Sequence, residues 1–476
     1  MRMKHSLIFM ATVLGACTVG PDYKRPELDV IKNSYHLPVV DSTANSIASV
    51  EWFEVFSDPY LDKLIRTALV QNPDLSVALA RIDEAQARAV VSRSAFGPDI
   101  RGAVNTAPTP GGVGNDATFT SGVGFSWELD IFGKIRRANE ATQAQLLATE
   151  ESARAVMSTL VVSVARTWFS LLELDEEVRI IERTIVSQEQ SLTLVRSQLS
   201  SGVSSKAEEQ QAIAQLASTR AELPAARRSV AYTESTLAIL LGQGPRRFGD
   251  RPQGGPSHEI DISDLALGLP VELLERRPDI RRAEQQLHAA TASIGVAVAN
   301  RFPFPTIGLS GFFGSYAVDF SDIGDGGSSV NFSGWGPYMD LPIVDWGRAK
   351  GNEQAARAVT QQAVHSYRKT VLAALKEVSD SVYAFKYSAE VIEANQVFAR
   401  AAKNGLELQR SRFTNGLVGY LDVLDSERQL LSAELNLARA RLGRVVAYLD
   451  VYRSLGGGWS DADLKTLART RDKSSE

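Results

Sequence analysis

The chain states one pattern twice. Asn72-Pro73-Asp74-Leu75 recurs as Arg277-Pro278-Asp279-Ile280, and Phe96-Gly97-Pro98 recurs as Arg301-Phe302-Pro303, both at an offset of 205 residues. Farther along the offset becomes 214: Gly133-Lys134 meets Gly347-Arg348, Val164 meets Val378, Arg196 meets Arg410 and Gly202 meets Gly416. A shift of nine residues between the two offsets fits two equivalent strand hairpins with loops of different length. Similarity at a fixed offset across Pro, Gly and Arg reads as duplication of one structural unit. The 476 residues are therefore expected to form two copies of a unit of about 200 residues, where length alone would suggest about three ordinary domains.

The N-terminus has the layout of an export signal: Arg2 and Lys4, the apolar stretch Leu7 to Leu14, then Gly15 and Ala16. That stretch is too short to span a bilayer permanently. The only cysteine, Cys17, follows directly and cannot form an internal disulfide. Leu14-Gly15-Ala16-Cys17 resembles the bacterial lipobox, in which the cysteine is acylated and becomes the mature N-terminus. Thr18 follows in place of the aspartate of an inner-membrane retention signal, so the resemblance favours the outer membrane. The formal charge of -5 offers no basic field of the kind nucleic-acid binders use. No later segment carries ~20 consecutive apolar residues, so further membrane contact must come from strands.

Helical periodicity begins near Asp58-Pro59 with Leu61, Leu64, Ile65, Ala68 and Leu69 on one face. It continues past Asn72-Pro73 and stops at Gly97-Pro98. The period then changes to two: Phe119, Ser121, Val123, Phe125, Trp127 and Leu129 make one face largely apolar, and the residues between them are small or polar. A strand between lipid and water reads this way, and about 10 residues suffice to cross as part of a barrel. The partner strand is Ile100 to Thr106; the second copy offers Thr306 to Phe313 and Val330 to Leu341. One such hairpin alone equally describes a soluble hairpin with one buried face, but two at equivalent positions of an exported repeat favour the membrane.

A helical seam follows from about Ala138 to Leu199, with apolar residues spaced by threes and fours from Met157 through Trp168 to Val195 and one seven-residue step over Gln188. Sixty-odd residues at 1.5 Å each predict a rod of about 90 Å. Ser201-Gly202 ends it, and a return helix runs from Lys206 to Leu241 with a kink expected at Pro224. The second copy repeats this hairpin as 349–412, the turn Asn415-Gly416, and 421–455. The expected organisation is a signal peptide at 1–16, an anchored extended arm at 17–50, and a first repeat at 51–241 with its β-hairpin at 100–129 and helical hairpin at 138–241. A linker at 242–268 leads to a second repeat at 269–455, with hairpins at 306–341 and 349–455, and a polar tail at 456–476. Four membrane strands cannot close on themselves, and an open edge in hydrocarbon leaves backbone groups without partners. Self-association is thus expected, with the number of copies open.

Cys17-Thr18-Val19-Gly20-Pro21-Asp22-Tyr23-Lys24-Arg25-Pro26 resembles the mature N-terminus of the outer-membrane lipoproteins of RND-type efflux systems, a branch of the TolC-like outer membrane factors. Trp52 to Pro59, Glu275 to Ile280, and Leu421-Asp422-Val423-Leu424-Asp425 match the same family, so the resemblance covers Cys17 to about Trp459. It implies an α+β membrane protein: a homotrimer whose 12-stranded β-barrel, four strands per chain, continues into a periplasmic α-helical coiled-coil tunnel. It implies a passive duct for drugs or other toxic small molecules, docked to a periplasmic adaptor protein and an inner-membrane RND-type pump. It makes Cys17 the lipid attachment site and places Asp422 and Asp425 at the periplasmic constriction. Three residues apart, those carboxylates share a helix face, and symmetry would turn each into a ring that attracts cations. Without the resemblance, the same pair reads as solvated helix acids, open to pairing with Arg412 or Arg428. Some relatives carry a tip-tethering arginine at the position of Val418, so the locking contacts here must differ.

Catalysis has little support. His5, His36, His258, His288 and His365 are scattered, no HExxH or cysteine pair exists, and Gly308, Gly311 and Gly314 lie in a strand signal without a P-loop lysine. No catalytic residue, metal or cofactor is expected, and neither is nucleic acid. The alternatives kept are an exit duct for protein secretion and a coiled-coil lipoprotein that bridges the envelope without a pore.

Overall fold

The computed structural model of the protein describes residues 18–27, 58–108, 117–251, 276–301, 303–317 and 330–459. The expected signal peptide, Cys17, most of the arm, residues 252–275 of the linker region and the tail from 460 lie outside the described residues. The described chain forms α1 (Pro59–Gln71), α2 (Pro73–Ser94), β1 (Asp99–Pro108), β2 (Ala117–Leu129), α3 (Lys134–Ser200) and α4 (Lys206–Leu240). There follow α5 (Pro278–Ala299), β3 (Thr306–Ala317), β4 (Val330–Asp340), α6 (Arg348–Thr414) and α7 (Tyr420–Ser454).

Equivalent elements match in length and spacing. Both α2 and α5 have 22 residues, α3 and α6 have 67, and α4 and α7 have 35. From Pro73 to Pro278 the step is 205 residues, and from Lys134 to Arg348 and from Lys206 to Tyr420 it is 214. At 1.5 Å per residue a 67-residue helix is about 100 Å long.

Helical periodicity does not run unbroken through Asn72-Pro73, as the sequence suggested. Asn72 is extended, with ψ 126°, and ends α1, because the residue before proline is excluded from the helical region. Its side chain rebuilds the junction, accepting from Leu75 N and donating to the Leu240 carbonyl at 3.0 Å each. Asp58 caps α1 by accepting from Tyr60 N and Leu61 N, and its other carboxylate oxygen accepts the indole N–H of buried Trp168 at 2.9 Å. Helix α4 continues through Pro224.

The four strands form one antiparallel sheet in the order β1-β2-β3-β4. Its register corrects the sequence comparison at one point. Asp99 pairs with Ser126 and Thr306 pairs with Asp340, so a step of 207 carries β1 onto β3 while 214 carries β2 onto β4. Pro98 therefore corresponds to Pro305 rather than Pro303. The connection from α5 to β3 is longer than that from α2 to β1 by the same two residues. The strand glycines make room for rings: a Cβ on Gly308 would lie 2.4 Å from the Tyr338 ring, and one on Gly311 would lie 2.4 Å from Phe125.

The described residues divide between two compact units, one within Met1–Leu28, Ala80–Glu151 and Ile280–Thr370, the other within Asp29–Leu79, Ser152–Asp279 and Val371–Glu476. The first holds the sheet. The second holds the main apolar core, where Leu61, Ile65, Met157, Trp168, Phe169, Leu171, Leu237 and Tyr448 pack together. Part of α3 is long and apolar enough to cross a membrane, with a mean hydropathy of 1.5 over its best window, but 61% of that window is buried inside the protein. Core packing accounts for it.

Candidate functional site

The end of the second unit where α3 turns into α4 and α6 into α7 gathers the residues singled out in sequence. Gly202 and Gly416 both take φ +71°, the left-handed conformation that glycine adopts without strain when a helix terminates. Beneath the turns Leu192, Val195, Leu216, Leu406, Phe413, Tyr420, Val423 and Leu424 form a separate apolar cluster, with Val418 packed against it. The position that carries a tethering arginine in some relatives is thus an apolar contact here.

Asp422 and Asp425 stand on the opposite side of α7 from that cluster. Both are exposed while Val423 and Leu424 between them are buried. Asp422 lies in the first turn of α7, where the helix dipole favours a carboxylate. Asp425 accepts from Gln429 Nε2 at 2.8 Å. Neither pairs with the cations proposed for it: Arg428 donates to Gln215 Oε1 at 2.6 Å, and among the described residues no ion pair involves Asp422 or Asp425. Both carboxylates stand on the solvent-exposed face of the helix.

Two ties that sequence reasoning missed hold these tips. The first is Glu208, which closes a capping box with Ser205 at the start of α4. Its Oε2 accepts from Ser205 N at 2.8 Å, and its Oε1 accepts from Tyr420 N, at the start of α7, at 3.1 Å. One carboxylate therefore caps two helices, and Gly419 at the α7 N-cap needs no side chain of its own. The Ser205 backbone N–H and the Ser204 hydroxyl hold the Glu208 carboxyl below its usual range. The second tie is Glu427, only 2% exposed, whose Oε1 accepts from Arg410 and from Ser191, both at 2.7 Å. Arg410 reaches on to the Ser187 hydroxyl, joining α6 and α7 to α3. Burial and the nearby Glu427 raise the Tyr420 phenol above its ordinary value.

Arg410 was visible in sequence as the repeat of Arg196, yet the two act differently. Arg196 pairs with Glu209 at 3.1 Å across the α3–α4 turn, and the residue one repeat before Glu427 is Ile213. The offset exposed the cation and hid its partner.

In the first unit, the N-terminal arm is clasped at the base of the sheet. Val19 N donates to Phe132 O at 3.1 Å, and Gly20, at φ +95°, lies so close to Gly295 that a Cβ would meet its Cα at 2.4 Å. Asp22 and Glu140 accept from Arg137. Arg25 makes a two-pronged pair with Glu284 at 2.7 and 2.8 Å, and Tyr23 stacks on His288 at 4.7 Å while donating to the same carboxylate. Burial and Glu284 together push the Tyr23 phenol up. The residue that follows Cys17 is thereby fixed beside the sheet: Thr18 sits against Gly133, where a Cβ would meet the Thr18 Cα at 3.0 Å.

Comparison with known proteins places this architecture. The family model described as outer membrane efflux protein matches residues 64–243 and 269–457. The chain is 31% identical over 472 residues to outer membrane protein OprJ of Pseudomonas aeruginosa, covering 96% of each. It is 32% identical over 457 residues to the cation efflux system protein CusC of Escherichia coli, covering 94% of this chain and 97% of that protein. The crystal structure of the open state of the Neisseria gonorrhoeae MtrE outer membrane channel superposes with a TM-score of 0.82 at 28% identity, over 93% of this chain and 98% of that one.

Proposed function

This chain belongs to the outer membrane efflux protein family, and from that premise we propose that several copies of it close a barrel and conduct small toxic molecules passively out of the periplasm. The protein is an outer membrane efflux channel and a transporter, not an enzyme. The proposed assembly is a homotrimer in which twelve strands, four per chain, form the barrel. The α3–α4 and α6–α7 hairpins form a periplasmic tunnel, fed by a periplasmic adaptor and an inner-membrane RND-type pump. The matched lengths and spacings of α2 to α4 and α5 to α7 support the reading of an internal duplication at 51–241 and 269–455.

The observation that carries the reading is the sheet: four antiparallel strands whose outer edges, on β1 and β4, have no partner among the described residues. Such edges are untenable in hydrocarbon. Cys17 is proposed as the acylated N-terminus, supported by the clasp that fixes Thr18 against Gly133. Asp422 and Asp425 are proposed as the constriction, supported by their exposure and lack of ion pairs. The test is the mass of the protein extracted from outer membranes in mild detergent, corrected for bound detergent. Three chains support closure by trimerisation; a single chain that leaves the membrane without detergent rules it out.

A further inference from the structure

Trp346 stands apart from every other large side chain in the described residues. It is 97% exposed, and it holds φ +54°, a left-handed conformation that is an outlier for a bulky residue. Such conformations persist where the surroundings over-determine them, and none of the described residues covers this indole. Met339, on β4, is exposed at 67%, and Ile343, three residues past the end of that strand, at 82%. On the free edge of β1, Ile100 and Val104 are each exposed at 66%.

The sheet itself supplies the register in which these two edges meet. Strand β2 is paired on both sides and runs to Leu129, which faces Ile307 of β3. Steps of 214 and 207 carry β2 onto β4 and β1 onto β3. Carrying the β2–β3 ladder along those steps turns Leu129 opposite Ile307 into Ile343 opposite Ile100, and turns Phe125 opposite Gly311 into Met339 opposite Val104. Since β4 is paired on one side only and stops at Asp340, the residues through Ile343 are those the missing neighbour would bring into the ladder. The match is selective. A slip of one residue reverses the faces, and a slip of two sets Ile343 or Met339 against Gly102. Among these registers only the carried one sets Ile343 and Met339 both against exposed apolar side chains of β1; a slip of four also sets exposed apolar residues together, Met339 against Ile100 and Trp335 against Val104, but departs from the repeat that the β2–β3 ladder supplies.

Trp346 fits the same frame. One repeat earlier stands Phe132, whose ring packs against Phe304 with centroids 5.2 Å apart. Phe304 carried back by 207 is Gly97, so a larger ring on one side meets a missing ring on the other. We infer that β4 pairs antiparallel with β1 of a second copy with Ile343 opposite Ile100 and Met339 opposite Val104, and that Trp346 seals the base of this seam over Gly97 of that copy. The inference rests on the proposed closure of a barrel by several copies and specifies the register and the sealing residue.

Cysteine pairs test it in the full-length, lipid-anchored protein in outer membranes. Ile343→Cys with Ile100→Cys, and Met339→Cys with Val104→Cys, are expected to cross-link on mild oxidation and give multiples of the chain mass on a denaturing gel. The slipped pairs Ile343→Cys with Gly102→Cys and Met339→Cys with Gly102→Cys are expected to remain largely single chains. Gly102 has open space for a Cβ, so these controls should fold. Dominant cross-linking of a slipped pair, or a multi-chain mass in mild detergent with no cross-link at any pair, overturns the register and leaves closure standing. A single-chain mass with no cross-link overturns closure itself. For the seal, the emission that Trp346→Phe removes should resist quenching by brominated lipid in the assembled protein, and Trp346→Ala should lower the temperature at which the copies separate. Strong quenching would assign Trp346 to the membrane interface and overturn its role in the seam.

Discussion

Glu427 and Glu173 show how single buried carboxylates set the stability of the second unit. With Glu427 at 2% exposure and Arg410 as its cation, Arg410→Ala leaves a buried charge unpaired. The expected loss is about 3–5 kcal/mol, read from the denaturant midpoint of the helical signal. Arg410→Met with Glu427→Leu removes both charges and should recover most of it. Glu173 behaves oppositely, since burial, aided by Glu177 and opposed by Arg439, pushes its carboxyl up to about 7. Between the ordinary value of 4.5 and that figure the folded chain holds a proton the unfolded chain has lost, so stability falls as pH rises through this window. Glu173→Gln should flatten the profile and gain up to about 3 kcal/mol at pH 8, measured by denaturation at pH 5 and pH 8.

Among the elements, α4 and α7 share one cap. Glu208 serves both N-termini, so Glu208→Ala should loosen two helices at once, at a cost of about 1–2 kcal/mol. Hydrogen exchange checks this directly: amides near 206–209 and 420–424 should exchange faster together, and a change at α4 alone would refute the shared cap. Because the folded Glu208 carboxyl titrates below its ordinary range, the tie is complete above that range and is lost as pH falls through the lower folded value. Strand edges follow the same logic on a larger scale, since β4 ends where its second neighbour is missing.

For the whole channel, the proposed rings of Asp422 and Asp425 make a prediction about ions. Among the described residues neither carboxylate forms an ion pair, so Asp422→Asn with Asp425→Asn should weaken the preference for cations, read as a smaller reversal potential across a salt gradient in a planar bilayer. The difference between the variants should shrink as ionic strength rises, because the Debye length falls from about 10 Å at 0.1 M to about 3 Å at 1 M. An unchanged reversal potential at low salt would move the constriction elsewhere.

The sequence by itself determined the order of strands and long helices, though not the break at Asn72 that separates α1 from α2. Alternation through Phe119 to Leu129, the threes-and-fours seam of α3 and the punctuation at Gly202 and Gly416 are local signals, because strand and helix periods and left-handed glycines are properties of neighbouring residues. The same is true of Asp422 and Asp425, whose motif spacing alone puts them on one helix face. Tertiary structure alone decided which distant groups meet. Gln188, over which the apolar seam steps, is buried at 1% exposure. Glu208 reaches a backbone amide 212 residues away. Arg410 finds Glu427 where the repeat offers Ile213, and two extra residues before β3 shift the strand correspondence. Each of these depends on how helices and strands lie side by side, and a periodic pattern carries no record of which facing side chain completes a hydrogen bond.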